Sequence, residues 1–234
     1  MNKIQIKSPV VMSIGGSLLF KDDKLDSEFL IRLNSFIRYQ VNNGVRFMLI
    51  AGGGQICRSY QGAAANVKST MSAWDLDWLG IHATRLNGHL LRTIFVDIAN
   101  PRMIENYDHK LENWVEPVVI GAGWKPGWST DYCAVTLARD QGAKMMINLS
   151  NIDYVFDSDP KQNPDAKPML NLSWDDVHKL VGDKWVPGMN TPFDPVATQL
   201  AQSIGLEVIV ANGGNFENLE NIFSNREFIG TVIK

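Results

Sequence analysis

Short apolar runs alternate along this chain with longer stretches in which apolar residues recur at helical spacing. Residues 10–14 (VVMSI) predict a strand, and 27–42 (SEFLIRLNSFIRYQVN) predict a helix that Gly44 stops. Residues 46–51 (RFMLIA) predict the next strand, which runs into Gly52-Gly53-Gly54, with a helix beginning near Gln55. A long helical pattern covers 73–99, weakened at Gly80 and Gly88 and closed by Asn100-Pro101. A third strand at 117–121 leads into the turn-rich GAGWKPGWST. The helix at 131–141 stops at Gly142, and 144–149 is again a strand. Residues 151–167, rich in Asp, Asn and Pro, read as a long loop. Helices follow at 175–181 and 195–204, then a buried strand at 206–211, a short helix at 216–224 and an edge strand at 230–233.

Strand–helix alternation with near-continuously apolar strands predicts a mainly parallel central sheet covered on both faces, a three-layer αβα sandwich. In such sheets ligands sit beyond the carboxyl ends of the strands. Three strands end in glycine-rich turns: Gly15-Gly16, Gly52-Gly53-Gly54 and Gly121-Ala122-Gly123. Each alone is either a tight strand-to-helix turn or a phosphate cradle. Three at one end of one sheet predict a crevice of backbone N–H groups for several phosphates. Neither the P-loop pattern G-x-x-x-x-G-K-[ST] nor G-x-G-x-x-G after a strand is present, so P-loop and dinucleotide chemistry lack their signatures.

At 234 residues the chain is long enough for one domain or two packed lobes, and its net charge of −3 argues against general nucleic-acid binding. Any anion must be met by local charge or by the backbone. Cys57 and Cys133 have no metal-ligand spacing and read as reduced thiols, and the histidines form no metal motif. The N-terminus is too polar for a signal peptide or membrane span, so the expectation is a cytoplasmic protein.

Five ordered segments carry a resemblance: IGGS at 14–17, AGGGQICR at 51–58, DWLGIHATRLNG at 77–88, GWSTD at 127–131 and SNIDYVFDSDPKQNPDAK at 150–167. FDPVATQLAQSIGLEVIVANG at 193–213 and GTVI at 230–233 complete it. Together they resemble the amino acid kinase family, in its archaeal and bacterial uridylate kinase branch. The resemblance implies a single domain over 1–234, with an acceptor-binding part (about 1–142) and an ATP-binding part (about 143–234). It also implies a homo-oligomer, often a hexamer. The implied reaction is ATP + UMP → ADP + UDP, with Mg²⁺ on the nucleotide.

The resemblance assigns residues to roles. Gly15 and Gly16 lie beside the transferring phosphoryl group, and Gly53 and Gly54 near the acceptor phosphate. Arg58 matches the arginine on that phosphate, where a guanidinium fork suits the oxygens; by itself it could be a solvated helix arginine. Asp77 matches a ribose contact or simply caps its helix, with Thr84 and Asn87 on nearby turns. Gly127 to Thr130 would wrap the uracil and the acceptor phosphate. Asp131 would organise the reacting groups, or act only as a helix cap. On the ATP side stand Ser17, Ser150, Asn151, Asp153, Phe156 and Asp159; Phe156 is either an adenine platform or a core aromatic. Asp194 matches an aspartate near the ATP phosphates, and equally suits an N-cap before Pro195.

The chain departs from the family pattern at Ser13 and Thr191, where many relatives carry lysine, and at Tyr154, where glycine is usual. Lys125, on the third glycine-rich turn, is the expected substitute cation for the transferring phosphoryl group; otherwise it is a solvent-exposed loop lysine. Three functions compete: a UMP kinase, a relative acting on another small acceptor, and a nucleotide-binding or sensing paralogue with little or no turnover.

Overall fold

Six strands are buried along nearly their whole length, and this is what lets them lie side by side in a sheet covered on both faces. The protein was analysed as a computed structural model that describes residues 2–160, 162–182 and 192–234. In chain order, β1 is Val10–Ile14, followed by a 3-10 turn at Gly16–Leu19 and a small hairpin, β2 (Phe20–Lys21) and β3 (Lys24–Leu25). Then come α1 (Ser27–Asn42), β4 (Phe47–Ala51), α2 (Gly54–Val67), α3 (Ala73–Ile94), β5 (Val118–Gly121), α4 (Thr130–Gln141) and β6 (Met145–Ser150). The remainder is β7 (Val155–Phe156), β8 (Pro168–Met169), β9 (Asn171–Leu172), α5 (Trp174–Val181), α6 (Pro195–Ser203), β10 (Glu207–Asn212), α7 (Phe216–Phe223) and β11 (Thr231–Ile233).

The main sheet has seven strands in the order β5-β4-β1-β6-β10-β11-β9. All neighbours are parallel except β10 and β11. Alternate residues of each strand feed opposite apolar layers. Val10, Met12 and Ile14 of β1 pack with α1, α7 and the end of α3 through Phe29, Leu33, Phe36, Leu91, Phe216 and Leu219. Val11 of β1, Met48, Met146 and Val208 pack with α4, α5 and α6 through Ala134, Leu137, Val177 and Ala197. The expected three-layer αβα sandwich is therefore present.

Four expectations need correction. Residues 230–233 do not supply an edge strand: β11 lies between β10 and β9, with its residues buried, and β5 and β9 are the edges. The long helix ends at Ile94 rather than 99. Phe95 and Ala99 are still buried, but as a turn and a bridge to Val118, which is why their apolar spacing mimicked more helix. Gly80 and Gly88 do not weaken that helix, since the 22-residue element runs through both. The loop at 151–167 holds β7, which pairs with β8.

Candidate active site

A cavity of about 560 Å³ opens at the carboxyl ends of β1, β4 and β6. Four elements of the fold converge on it. The 3-10 turn after β1 and helices α2, α4 and α6 all begin at its wall, with Gly16, Gly54, Thr130, Asp131 and Asp194 among the lining residues. Helix N-termini present unpaired N–H groups and the positive end of the dipole, so this end of the sheet attracts anions.

The glycine turns divide into two kinds. Gly15 gives its N–H to Leu149 O (2.8 Å) and Gly52 gives its own to Ile14 O (2.9 Å), so both extend the sheet. Gly16, Gly53 and Gly54 also line the cavity, where the 3-10 turn and α2 begin, and helix N-termini are where unpaired N–H groups are found. The third turn departs from the expectation. The Ala122 N–H is bonded to Ile104 O (3.0 Å) and the Gly123 N–H to Thr84 Oγ1 (2.8 Å). It forms wall but offers no such donors.

Helix α3 braces these turns. Asn87, fully buried, donates Nδ2 to Gly52 O (2.8 Å) and Gly53 O (3.1 Å), which fixes the path of that turn. Thr84 donates to Ile81 O (2.6 Å) while accepting from Gly123. Arg85 donates to the carbonyls of Gly123 (3.1 Å) and Trp124 (3.0 Å) and pairs with Glu105 at 3.2 Å. Thr84 and Asn87, expected near a nucleotide, thus act first on the turns that would hold it.

Charge is split between the two ends. At the α2–α3 end, Arg58 is exposed, and among the described residues its guanidinium is bonded only to Gln55 Oε1 of its own helix (2.9 and 3.2 Å), so it is easily redirected to a ligand. Asp77 accepts the Gly127 N–H at 2.7 Å; burial raises its carboxyl pKa and that bond partly offsets it. At the opposite end, Ser13 and Asn148 are register neighbours on β1 and β6, beneath Asp131 and Asp194. Ser13 Oγ lies 3.5 Å from Asp131 Oδ1. Burial, with the nearby Asp194 carboxylate, pushes the Asp131 pKa up to about 7. Asp194 is raised by burial as well, opposed by the Ala197 N–H, which it caps at 2.7 Å. Among the described residues Arg58 is the one Arg or Lys lining the cavity.

Of the residues expected from sequence, Gly15, Gly16, Gly53, Gly54, Arg58, Asp77, Thr84, Thr130, Asp131, Ser150 and Asp194 line this cavity together. Gly127 stands just behind the wall on Asp77. Ser17, Asn151, Asp153, Phe156 and Asp159 are not part of the lining. Asp153 is held by Asn212 Nδ2 (3.0 Å) beside the ends of β6 and β10, and Phe156 is half-buried in β7. Lys125 is also absent from the lining: its ammonium sits 3.6 Å over the Trp124 ring. Thr191 lies outside the described residues. Sequence reasoning gave no site role to Asn148, Cys57 or Gln61, all of which line the cavity, as does Trp128 within the 127–130 stretch expected to wrap the uracil. Asn148 had a readable signal, a lone amide breaking the apolar run of β6 on the face that buries Met146.

A parallel αβα sheet with an anion cleft at its carboxyl edge, unequally charged at its two ends, defines a phosphate-handling α/β protein. The amino acid kinase family profile matches residues 8–212, and the chain belongs to that family. A uridylate kinase from Sulfurisphaera tokodaii is 31% identical over 228 residues, 96% of this chain and 98% of its own. One from Methanocorpusculum labreanum is 31% identical over 226 residues, 96% and 94% of the two chains. The crystal structure of uridylate kinase from Archaeoglobus fulgidus matches with a TM-score of 0.79 at 28% identity, over 97% of this chain and all (100%) of that one. That of UMP kinase from Bacillus anthracis, at 23% identity and a TM-score of 0.76 over 97% and 96%, shares the fold.

Proposed function

We propose that this protein transfers the γ-phosphoryl group of ATP to UMP, giving UDP and ADP. One observation carries the reading: a single cavity has Arg58 and Asp77 at one end and the Asp131–Asp194 pair at the other, with glycine N–H groups between. Residues 1–142 supply the acceptor end. There Arg58 takes the UMP phosphate bidentately, Asp77 exchanges the Gly127 N–H for the ribose hydroxyls, and Gly127 to Thr130 border the base. Residues 143–234 supply the ATP end, with Ser150 on the cavity wall and Asn151, Asp153, Phe156 and Asp159 nearby.

The bond from the γ-phosphorus to ADP breaks as one forms to a UMP phosphate oxygen. The N–H groups of Gly16, Gly53 and Gly54 and the helix N-termini stabilise the phosphoryl oxygens without reorganising. The catalytic end presents oxygen donors only, a lining that suits Mg²⁺. When bound, Mg²⁺ on the ATP phosphates supplies most of the charge neutralisation. Asp131 and Asp194 cannot neutralise phosphate; Asp194 caps α6, while Asp131 lies in the first turn of α4, which Ser129 caps. The same reading makes the protein a cytoplasmic homo-oligomer, a hexamer. The exposed α3 residues Trp74 and Leu86 suit a subunit contact, and no described helix is long and apolar enough to cross a membrane.

A second reading, a nucleotide-binding paralogue with little turnover, is favoured by Ser13, a hydroxyl where many relatives carry an ammonium group. ADP release with Mg²⁺–ATP and a panel of nucleoside monophosphates and small carboxylates tests both. UMP-selective turnover is expected. UMP binding by calorimetry without turnover would establish the second reading instead.

A further inference from the structure

Lys125, Pro126, Gly127 and Trp128 form a four-residue turn closed by the Trp128 N–H on Lys125 O (3.1 Å). Proline in its second position and Gly127 at φ +87° give it the type II pattern, which returns the fourth residue to the side of the first. The Lys125 ammonium accordingly lies 3.6 Å from the Trp124 ring centroid and 5.0 Å from that of Trp128. Among the described residues no carboxylate pairs with it.

The two indoles differ in how they are held. Trp124 is buried, its carbonyl bonded by Arg85 (3.0 Å) and its ring 6.0 Å from Tyr107. Trp128 is half-buried and lines the cavity beside Asp77, whose carboxylate takes the N–H of the preceding Gly127. Trp128 meets Trp124 edge to face (4.4 Å, 87°) and then Tyr132 at the start of α4 (4.2 Å, 83°). A cation seated over the junction of a fixed indole and a cavity indole restrains the second through the first.

We infer that Lys125 is a positioning residue: it sets affinity for the acceptor by holding the Trp128 indole as a flat wall for the acceptor's heteroaromatic base. The identity of that acceptor rests on the kinase reading above; the coupling of Lys125 to Trp128 does not. Lys125→Met keeps the aliphatic stem and removes the cation, and Lys125→Arg restores it. In Lys125→Met the KM for UMP is expected to rise about three- to tenfold, with kcat within about twofold and KM for ATP unmoved; Lys125→Arg recovers most of the loss.

A fall in kcat of about a hundredfold with KM for UMP unchanged would mean that the ammonium reaches the phosphoryl group, and would overturn the inference. The second readout needs no turnover. The Trp128 indole N–H resonance in a ¹⁵N spectrum should shift in Lys125→Met and return in Lys125→Arg. If UMP is not phosphorylated by the unaltered protein, the kinase reading fails and this resonance alone decides. If it does not move in Lys125→Met, the inference is wrong whatever the activity.

Discussion

Gly16 and Gly54 meet backbone to backbone: a Cβ on Gly16 would lie 2.0 Å from the Gly54 nitrogen, and one on Gly54 would lie 2.3 Å from Gly16 O. The turn after β1 and the turn after β4 are packed into one another. The glycines are therefore required by the protein's own packing before any phosphate arrives. Gly16→Ala should cost roughly 3 kcal/mol or more, because the obstruction is main chain and cannot rotate aside. Urea unfolding checks this, and a midpoint equal to that of the unaltered protein would contradict it.

Asp131 gives a stability prediction with a definite sign. Its folded pKa, about 7, lies above the ordinary aspartate value of 3.8, so the folded state binds the proton more tightly. Stability from this group is full below about pH 4 and is lost as pH rises through 7. Asp131→Asn should stabilise the ligand-free protein at pH 8, by on the order of 3 kcal/mol, with the gain vanishing towards pH 4. Phosphoryl transfer should fall at every pH. Thermal unfolding from pH 4 to 8 tests the sign, and a gain largest at low pH would refute the assignment.

Thr84→Val preserves volume but removes the acceptor for the Gly123 N–H, a bond of 2.8 Å in a buried setting. Leaving that donor unpaired should cost about 1–3 kcal/mol. Because the same turn leads to Trp128, KM for UMP should rise while KM for ATP holds. A variant of normal stability and unchanged KM would show that the third turn needs no brace. Asn87→Leu should act likewise on the second turn, through Gly52 and Gly53.

The sequence by itself determined the long helices, the principal strands and their order. Near-continuous apolar runs such as 10–14 can only be strands covered on both faces, and helical spacing at 27–42 needs no tertiary information. It also placed glycines at the ends of three strands, and Asp194 before Pro195 as a cap. Tertiary structure decided what those features do. Whether a glycine N–H is free for an anion depends on what lies opposite it: the turns at Gly16, Gly53 and Gly54 face the cavity, while that at Gly123 faces Thr84 from a helix distant in sequence. The path of β11 between β10 and β9 is a pairing choice that a short apolar run leaves open. Lys125 shows the limit best. Its type and its place on a glycine turn made it a candidate phosphate ligand, and only packing set its ammonium on two indoles, because burying those rings brought their faces within reach.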